Sequence, residues 1–158
     1  MKNYLNSEYV TSSKNFVIKK INSMVYKNRQ STNEILARLR HGVGKSITDT
    51  AQTWDFLLDD MPGELMSATS TMGTTCEETE YEKAIFIALT NYAWHQQGKD
   101  IMTQNMHRQG ITFGKACAEL AKHIGTNKVL DRIRKIAGAS IRDFKPEINK
   151  LAEYEDWT

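Results

Sequence analysis

The sequence predicts an all-α helical bundle. Only two prolines occur in 158 residues. Apolar residues recur at intervals of three and four in one segment after another, the spacing of a helix face. No segment alternates Val, Ile or aromatic residues with polar ones, as a half-buried strand would. With 40% hydrophobic residues, the chain has enough apolar surface for a packed core.

The elements follow in order. Residues 1–11 read as an N-terminal arm. Ser12 or Ser13 caps a helix to about Asn28, with Val17, Ile21, Met24 and Val25 as its apolar stripe. Lys14, Lys19, Lys20 and Lys27 lie away from that stripe. Ser31-Thr32-Asn33-Glu34 has the spacing of a capping box. It starts a helix through Ile35, Leu36 and Leu39 that Gly42 and Gly44 end. Thr48 to Leu58 forms a short helix burying Ala51, Trp54, Leu57 and Leu58. Residues 59–78, rich in Asp, Glu, Ser, Thr and Gly, form a mobile acidic loop. Thr79 caps the next helix, about Glu80 to Gln97, with Glu82 at the capping-box position. Its broad apolar face, Ala84, Ile85, Ala88, Leu89, Tyr92 and Ala93, widened by Phe86 and Ile87, makes it the centre of the core. Thr112 to His123 follows, with Ala116, Cys117, Leu120 and Ala121 inward and Gly125 at its end. Asn127 to Ala137 turns Leu130, Ile133 and Ile136 inward. Ser140 caps a last helix through Phe144, Ile148 and Leu151, which Pro146 interrupts. The chain thus divides into an arm (1–11), a main helical bundle (12–125) and a C-terminal helical segment (126–158).

Several function classes fall away. No apolar run reaches the roughly 18 residues of a membrane span, and Met1-Lys2-Asn3-Tyr4-Leu5 does not open a signal peptide. Cys76 and Cys117, far apart in the chain, read as reduced structural thiols of a cytoplasmic protein. Gly42-Val43-Gly44-Lys45-Ser46 is no phosphate-binding loop. Position 39, where that motif needs its first glycine, is Leu, and the segment follows a helix. His95, His107 and His123 have no Glu or Cys at matching ligand spacing. Cys117 falls on an apolar face, where a thiol is inert. Glu77, Glu78, Glu80 and Glu82 start a helix in solvent, where acids suit its N-terminus, rather than line a cleft. No catalytic residue, metal or cofactor is expected.

Charge distribution says more than the net of +2. Residues 1–58 hold nine Lys and Arg against four acids, residues 59–82 hold seven acids and no base, and residues 83–150 hold twelve bases against five acids. Two basic lobes flank an acidic linker, and a basic face attracts phosphate. The most informative stretch is Tyr92 to Ala116. An apolar helix runs into Trp94-His95-Gln96-Gln97, breaks at Gly98, and gives way to a polar loop before a new helix at Thr112-Phe113-Gly114-Lys115-Ala116. Lys99, His107, Arg108 and Lys115 surround two helix ends. Gln96, Gln97, Gln104, Asn105 and Gln109 supply hydrogen-bonding amides, and Asp100 is the one acid. Arg, Lys and amides are what phosphate contact uses. Arg38, Arg40, His41 and Lys45 form a second expected cluster, beside free glycine amides. Trp54, Phe86, Tyr92, Trp94 and Phe113 read as core, leaving Tyr26 and Tyr9 as exposed aromatics. That pattern predicts backbone tracking by charge with little base preference.

The Ala93-Trp94-His95-Gln96-Gln97 helix end, Met106-His107 followed by Gly110, and Thr112-Phe113-Gly114-Lys115-Ala116 resemble CasB, the small subunit of the type I-E CRISPR Cascade complex. Ile35 to Lys45, with Ala37-Arg38-Leu39-Arg40-His41-Gly42, is similar to that family's N-terminal block. The resemblance spans roughly residues 30–125 and implies a non-enzymatic helical subunit. Its implied partners are the guide-carrying backbone subunits, guide RNA, displaced single-stranded DNA and a second copy of itself. It implies nucleic-acid contact by Arg38, Arg40, Lys99, Arg108 and Lys115. Charge clustering adds Lys45, Arg132, Arg134 and Lys135. Family members continue into a second helical lobe. This chain stops at Tyr154-Glu155-Asp156-Trp157-Thr158, so part of that lobe is expected to be lacking. The competing reading is a stand-alone helical DNA-binding regulator with residues 127–137 as recognition helix.

Overall fold

The computed structural model describes residues 6–67 and 78–138. Its elements are α1 (Ser7–Val25), α2 (Arg29–His41), α3 (Trp54–Leu58), α4 (Glu80–His95), α5 (Phe113–Ile124) and α6 (Thr126–Gly138), with 3-10 turns at Ala51–Thr53 and Gly63–Leu65. No strand occurs among the described residues, so the all-α expectation holds. The chain falls into two compact units, Met1–Met106 and His107–Thr158. By contact, α5 groups with the C-terminal segment, where the sequence reading places it in the first bundle.

Helix α1 begins earlier than expected. The Asn6 side chain accepts from the Glu8 amide at 2.9 Å, capping a helix that starts at Ser7. Ser7 to Thr11 are therefore helical, not arm. Its buried face is Ser13, Phe16, Lys20, Ile21 and Met24. Lys20 is the correction here, because a polarity code assigns any lysine to solvent. Its side chain is 4% exposed, with Nζ 3.5 Å from Asp59 and 5.3 and 5.0 Å from the Phe16 and Phe56 ring centroids. Burial pushes the amine's pKa down, and Asp59 pulls it partly back. Carboxylate and ring faces together make a buried cation tolerable.

Helix α2 is capped by Asn28, whose side chain accepts from the Ser31 amide at 2.9 Å. The expected Ser31–Glu34 capping box does not form. Glu34 instead accepts from the Gln30 side-chain amide Nε2 at 3.1 Å. Starting the helix at Arg29 places that residue in its first turn, which matters for the site below. Ile35, Leu36 and Leu39 are buried, and Gly42 caps the C-terminus. A methyl group at Gly42 would lie 2.8 Å from Phe86 Cζ, so only glycine lets α2 approach α4 this closely.

The short helix α3 turns a different face inward than periodicity suggests, because a 3-10 turn precedes it and shifts the phase. Thr53, Phe56 and Leu57 are buried, while Ala51 is exposed. Trp54 is 40% exposed, and its ring N–H donates to the Ile47 carbonyl at 2.8 Å. The acidic segment is partly fixed. Met61 and Leu65 enter the core, and Asp60 pairs with Lys19 at 3.3 Å. Residues 68–77 lie outside the described residues.

Helix α4 has the expected capping box between Thr79 and Glu82. Glu82 is not solvated, however. It is 5% exposed and accepts from the amides of Thr79 at 2.7 Å and Ser67 at 3.0 Å, tying the returning chain to the helix start. α4 packs against both α1 and α2, burying Ile85, Phe86, Leu89, Tyr92 and Ala93. Ala84 and Ala88 face solvent instead, and Trp94 is 37% exposed rather than core.

In the second unit, Thr112 caps α5 by accepting from the Lys115 amide at 3.2 Å, and Gly125, at φ 92°, ends it. α5 packs on α6. Leu120 is buried as expected, but Val129 is buried where Leu130 was expected, and Leu130 is 40% exposed. Cys117 is half-buried and burial raises its thiol pKa, which keeps it protonated. The expected last helix, with Phe144, Ile148 and Leu151, lies outside the described residues.

Candidate nucleic-acid interface

The chain leaving α4 is held by one side chain. Gln96 is 1% exposed. Its amide nitrogen donates to the carbonyls of Lys99 at 3.1 Å and Gln104 at 3.0 Å, and its oxygen accepts from the Met106 amide at 2.9 Å. Gly98, at φ 75°, supplies the left-handed turn between them. The Tyr92 hydroxyl donates to Asn105 at 2.9 Å from a buried position, and burial pushes its pKa up to about 12. Gln96 and Asn105 are therefore internal clamps, not the phosphate ligands that their polarity suggests. The clamped turn presents Lys99, whose ammonium group donates to Met106 Sδ at 3.3 Å.

Lys99 lines a cleft of about 330 Å³ in the first unit, between the end of α1, one face of α2 and the turn after α4. Four cations line it, Lys27, Arg29, Arg40 and Lys99, against one acid, Asp100. Arg29, Asn33, Leu36 and Arg40 recur at helical spacing along α2. At 1.5 Å per residue this row is about 16 Å long. Arg29 and Asp100 pair at 3.2 Å, with the Arg29 side chain 81% exposed. Among the described residues, Lys27 and Arg40 have no ion-pair partner. A cleft with this charge excess and open cationic groups suits a chain of phosphates.

The structure separates the other expected residues. Arg38 stands two positions from Arg40, roughly 200° around the helix. It faces α3 instead, donating to Asp55 at 3.0 Å and to the Gln52 carbonyl at 3.1 Å. The guanidinium holds the Asp55 carboxyl below its usual pKa. The glycine amides expected to be free beside these residues are not both free, since Gly42 donates to Leu39 at 2.9 Å. Lys45 is exposed in the turn beyond α2.

The remaining candidates lie in the second unit. His107 is half-buried, while Arg108 and Lys115 are exposed. The two share one turn: the Ile111 amide reaches the Arg108 carbonyl at 3.5 Å, and Lys115 Nζ donates to the Gly110 carbonyl at 3.4 Å. On α6, Arg134 pairs with Asp131 at 3.1 Å, Arg132 is half-buried and Lys135 exposed. Two cleft cations, Lys27 and Arg29, escaped the sequence reading. Their signal is a helix cap, Asn28, flanked by two bases.

Among the described residues, no group of three or more His, Cys, Asp and Glu is placed to hold a metal ion, and no helix is long and apolar enough to cross a membrane. Fold and site define a helical module with a cation-lined cleft. The model of the family described as CRISPR-associated protein Cse2 matches residues 35–152, and the chain belongs to that family. Cse2 is the small subunit of type I-E Cascade, also called CasB. Neither the curated proteins nor the solved structures contain a match to the chain.

Proposed function

We propose that the chain is a non-catalytic, cytoplasmic subunit whose basic surface binds nucleic-acid backbone and stabilises the displaced DNA strand of the R-loop. One observation carries the reading: in a Cse2 chain, Arg40 and Lys99 line the same cleft with Lys27 and Arg29. The energetics suit such a role. An RNA–DNA heteroduplex is about as stable as the DNA duplex it replaces, so modest backbone contacts to the freed strand tip the exchange. Guide-carrying backbone subunits, guide RNA and a second copy of the chain are the partners this role calls for. Lys45 adds a cation in the first unit, and the second unit carries its own, Arg108 and Lys115 on one turn with Arg132, Arg134 and Lys135; His107 adds a hydrogen-bonding group there. Arg38, paired with Asp55, contributes least.

The test is binding of the full chain to single-stranded DNA as a function of salt. Affinity falls by about 0.7 log units per log unit of salt for each phosphate neutralised. Arg40→Glu with Lys99→Glu weakens binding and flattens that slope. Tight binding to one duplex sequence, with single strands ignored, would favour a stand-alone regulator and overturn the proposal.

A further inference from the structure

The cleft has cations for phosphates, and the sequence offers little for bases. One residue changes that. Tyr26 caps the C-terminus of α1 and is 89% exposed, far more than the other exposed large apolar residues among those described. Its two chain neighbours, Val25 and Lys27, both line the cleft, and Arg29 lies one helical cap further on. A single exposed apolar residue needs no explanation. Tyr26 does not itself line the cleft, but a whole aromatic ring left in solvent where the chain runs along its rim, between two neighbours that do line it, is a different matter. Met102, 66% exposed, lines the cleft and adds apolar surface to it.

We propose that Tyr26 is a base-stacking platform, so that this cleft takes a single-stranded nucleic acid by base and backbone together. The inference rests on the backbone-binding reading and deepens it. Every base has a flat π-face, so stacking on Tyr26 adds affinity without selecting sequence. Lys27 and Arg29, close to Tyr26 in the chain, and Arg40 and Lys99 in the same cleft take the adjoining phosphates. A duplex keeps its bases stacked inside and cannot use the ring. The cleft therefore distinguishes a displaced strand from paired DNA, which charge alone does poorly.

The experiment measures binding of the full chain to fluorescein-labelled oligo(dT), and to an abasic strand of equal length, by fluorescence anisotropy. Wild type is compared with Tyr26→Ala and Tyr26→Phe. Tyr26→Ala is expected to weaken oligo(dT) binding by about 5- to 100-fold, with the salt slope unchanged because no phosphate contact is lost. Tyr26→Phe, which keeps the ring, restores binding. On the abasic strand, wild type and Tyr26→Ala bind alike. With Tyr26 89% exposed, the melting temperature stays that of wild type. The proposal is overturned if Tyr26→Ala binds oligo(dT) as wild type does, or loses the abasic strand equally. Either result leaves the backbone reading standing. If wild type binds neither strand, both readings fall.

Discussion

Replacing Gln96 with leucine tests how the site is built. Leucine is of similar size but makes none of the three hydrogen bonds through which Gln96 holds Lys99, Gln104 and Met106. A net hydrogen bond contributes about 1 kcal/mol, and a group left unpaired in the interior costs about 1–3 kcal/mol. Gln104 is exposed, so its freed carbonyl can reach water, while Lys99 is half-buried. The Met106 amide, beside a half-buried residue, has less opportunity. The expected loss is about 2–4 kcal/mol, toward the lower end of the full desolvation cost. For a chain of this size that lowers the melting temperature by about 5–15 °C. Urea unfolding measures the stability, and hydrogen exchange at the Met106 amide measures the local opening. Because the same clamp presents Lys99, affinity for single-stranded DNA falls as well. A Gln96→Leu protein within about 0.5 kcal/mol of wild type, with its Met106 amide equally protected, would refute the clamp.

Three further outcomes are expected. Gly42→Ala places a methyl group 2.8 Å from Phe86 Cζ and should cost about 1–3 kcal/mol in urea unfolding, partly recovered by adding Phe86→Leu. Asp100→Asn keeps an oxygen for the Met102 amide, now 2.8 Å from Asp100 Oδ1, but releases Arg29; single-stranded DNA should bind several-fold tighter at low salt, with the gain shrinking as salt screens it. Tyr92 gives a pH signature. Its folded pKa of about 12 exceeds the unfolded value, so the folded state holds more protons and stability falls as pH rises from 10 toward 12. Two pKa units bound this at about 2–3 kcal/mol, and the difference between wild type and Tyr92→Phe across that window reads it in urea unfolding.

Helical periodicity made most of the fold legible, because burial of α4 is encoded in Ile85, Leu89, Tyr92 and Ala93 at regular spacing. The Thr79 cap was legible for the same local reason. The misses come from tertiary contacts. Lys20 is inside because Asp59 and two phenylalanine rings come from elsewhere in the chain. Trp54 turns outward because the 3-10 turn before it shifts the phase of α3. At the site, Arg40 and Lys99 stood out in the sequence as basic residues, but their sharing of one cleft depends on how α2 meets the turn after α4. Arg38 looked equivalent to Arg40 in sequence, yet two positions on a helix point to different surroundings. Gln96 was read as a ligand because a buried amide and an exposed one look alike in sequence.

The most direct measurement is R-loop formation by the complete guide-loaded complex carrying Arg40→Glu and Lys99→Glu, on a target with intact duplex. The account predicts that guide RNA loading is retained while R-loop yield drops and dissociation of the open complex speeds up. An R-loop that forms and persists as with wild type, in a complex that has incorporated the altered subunit, would contradict it.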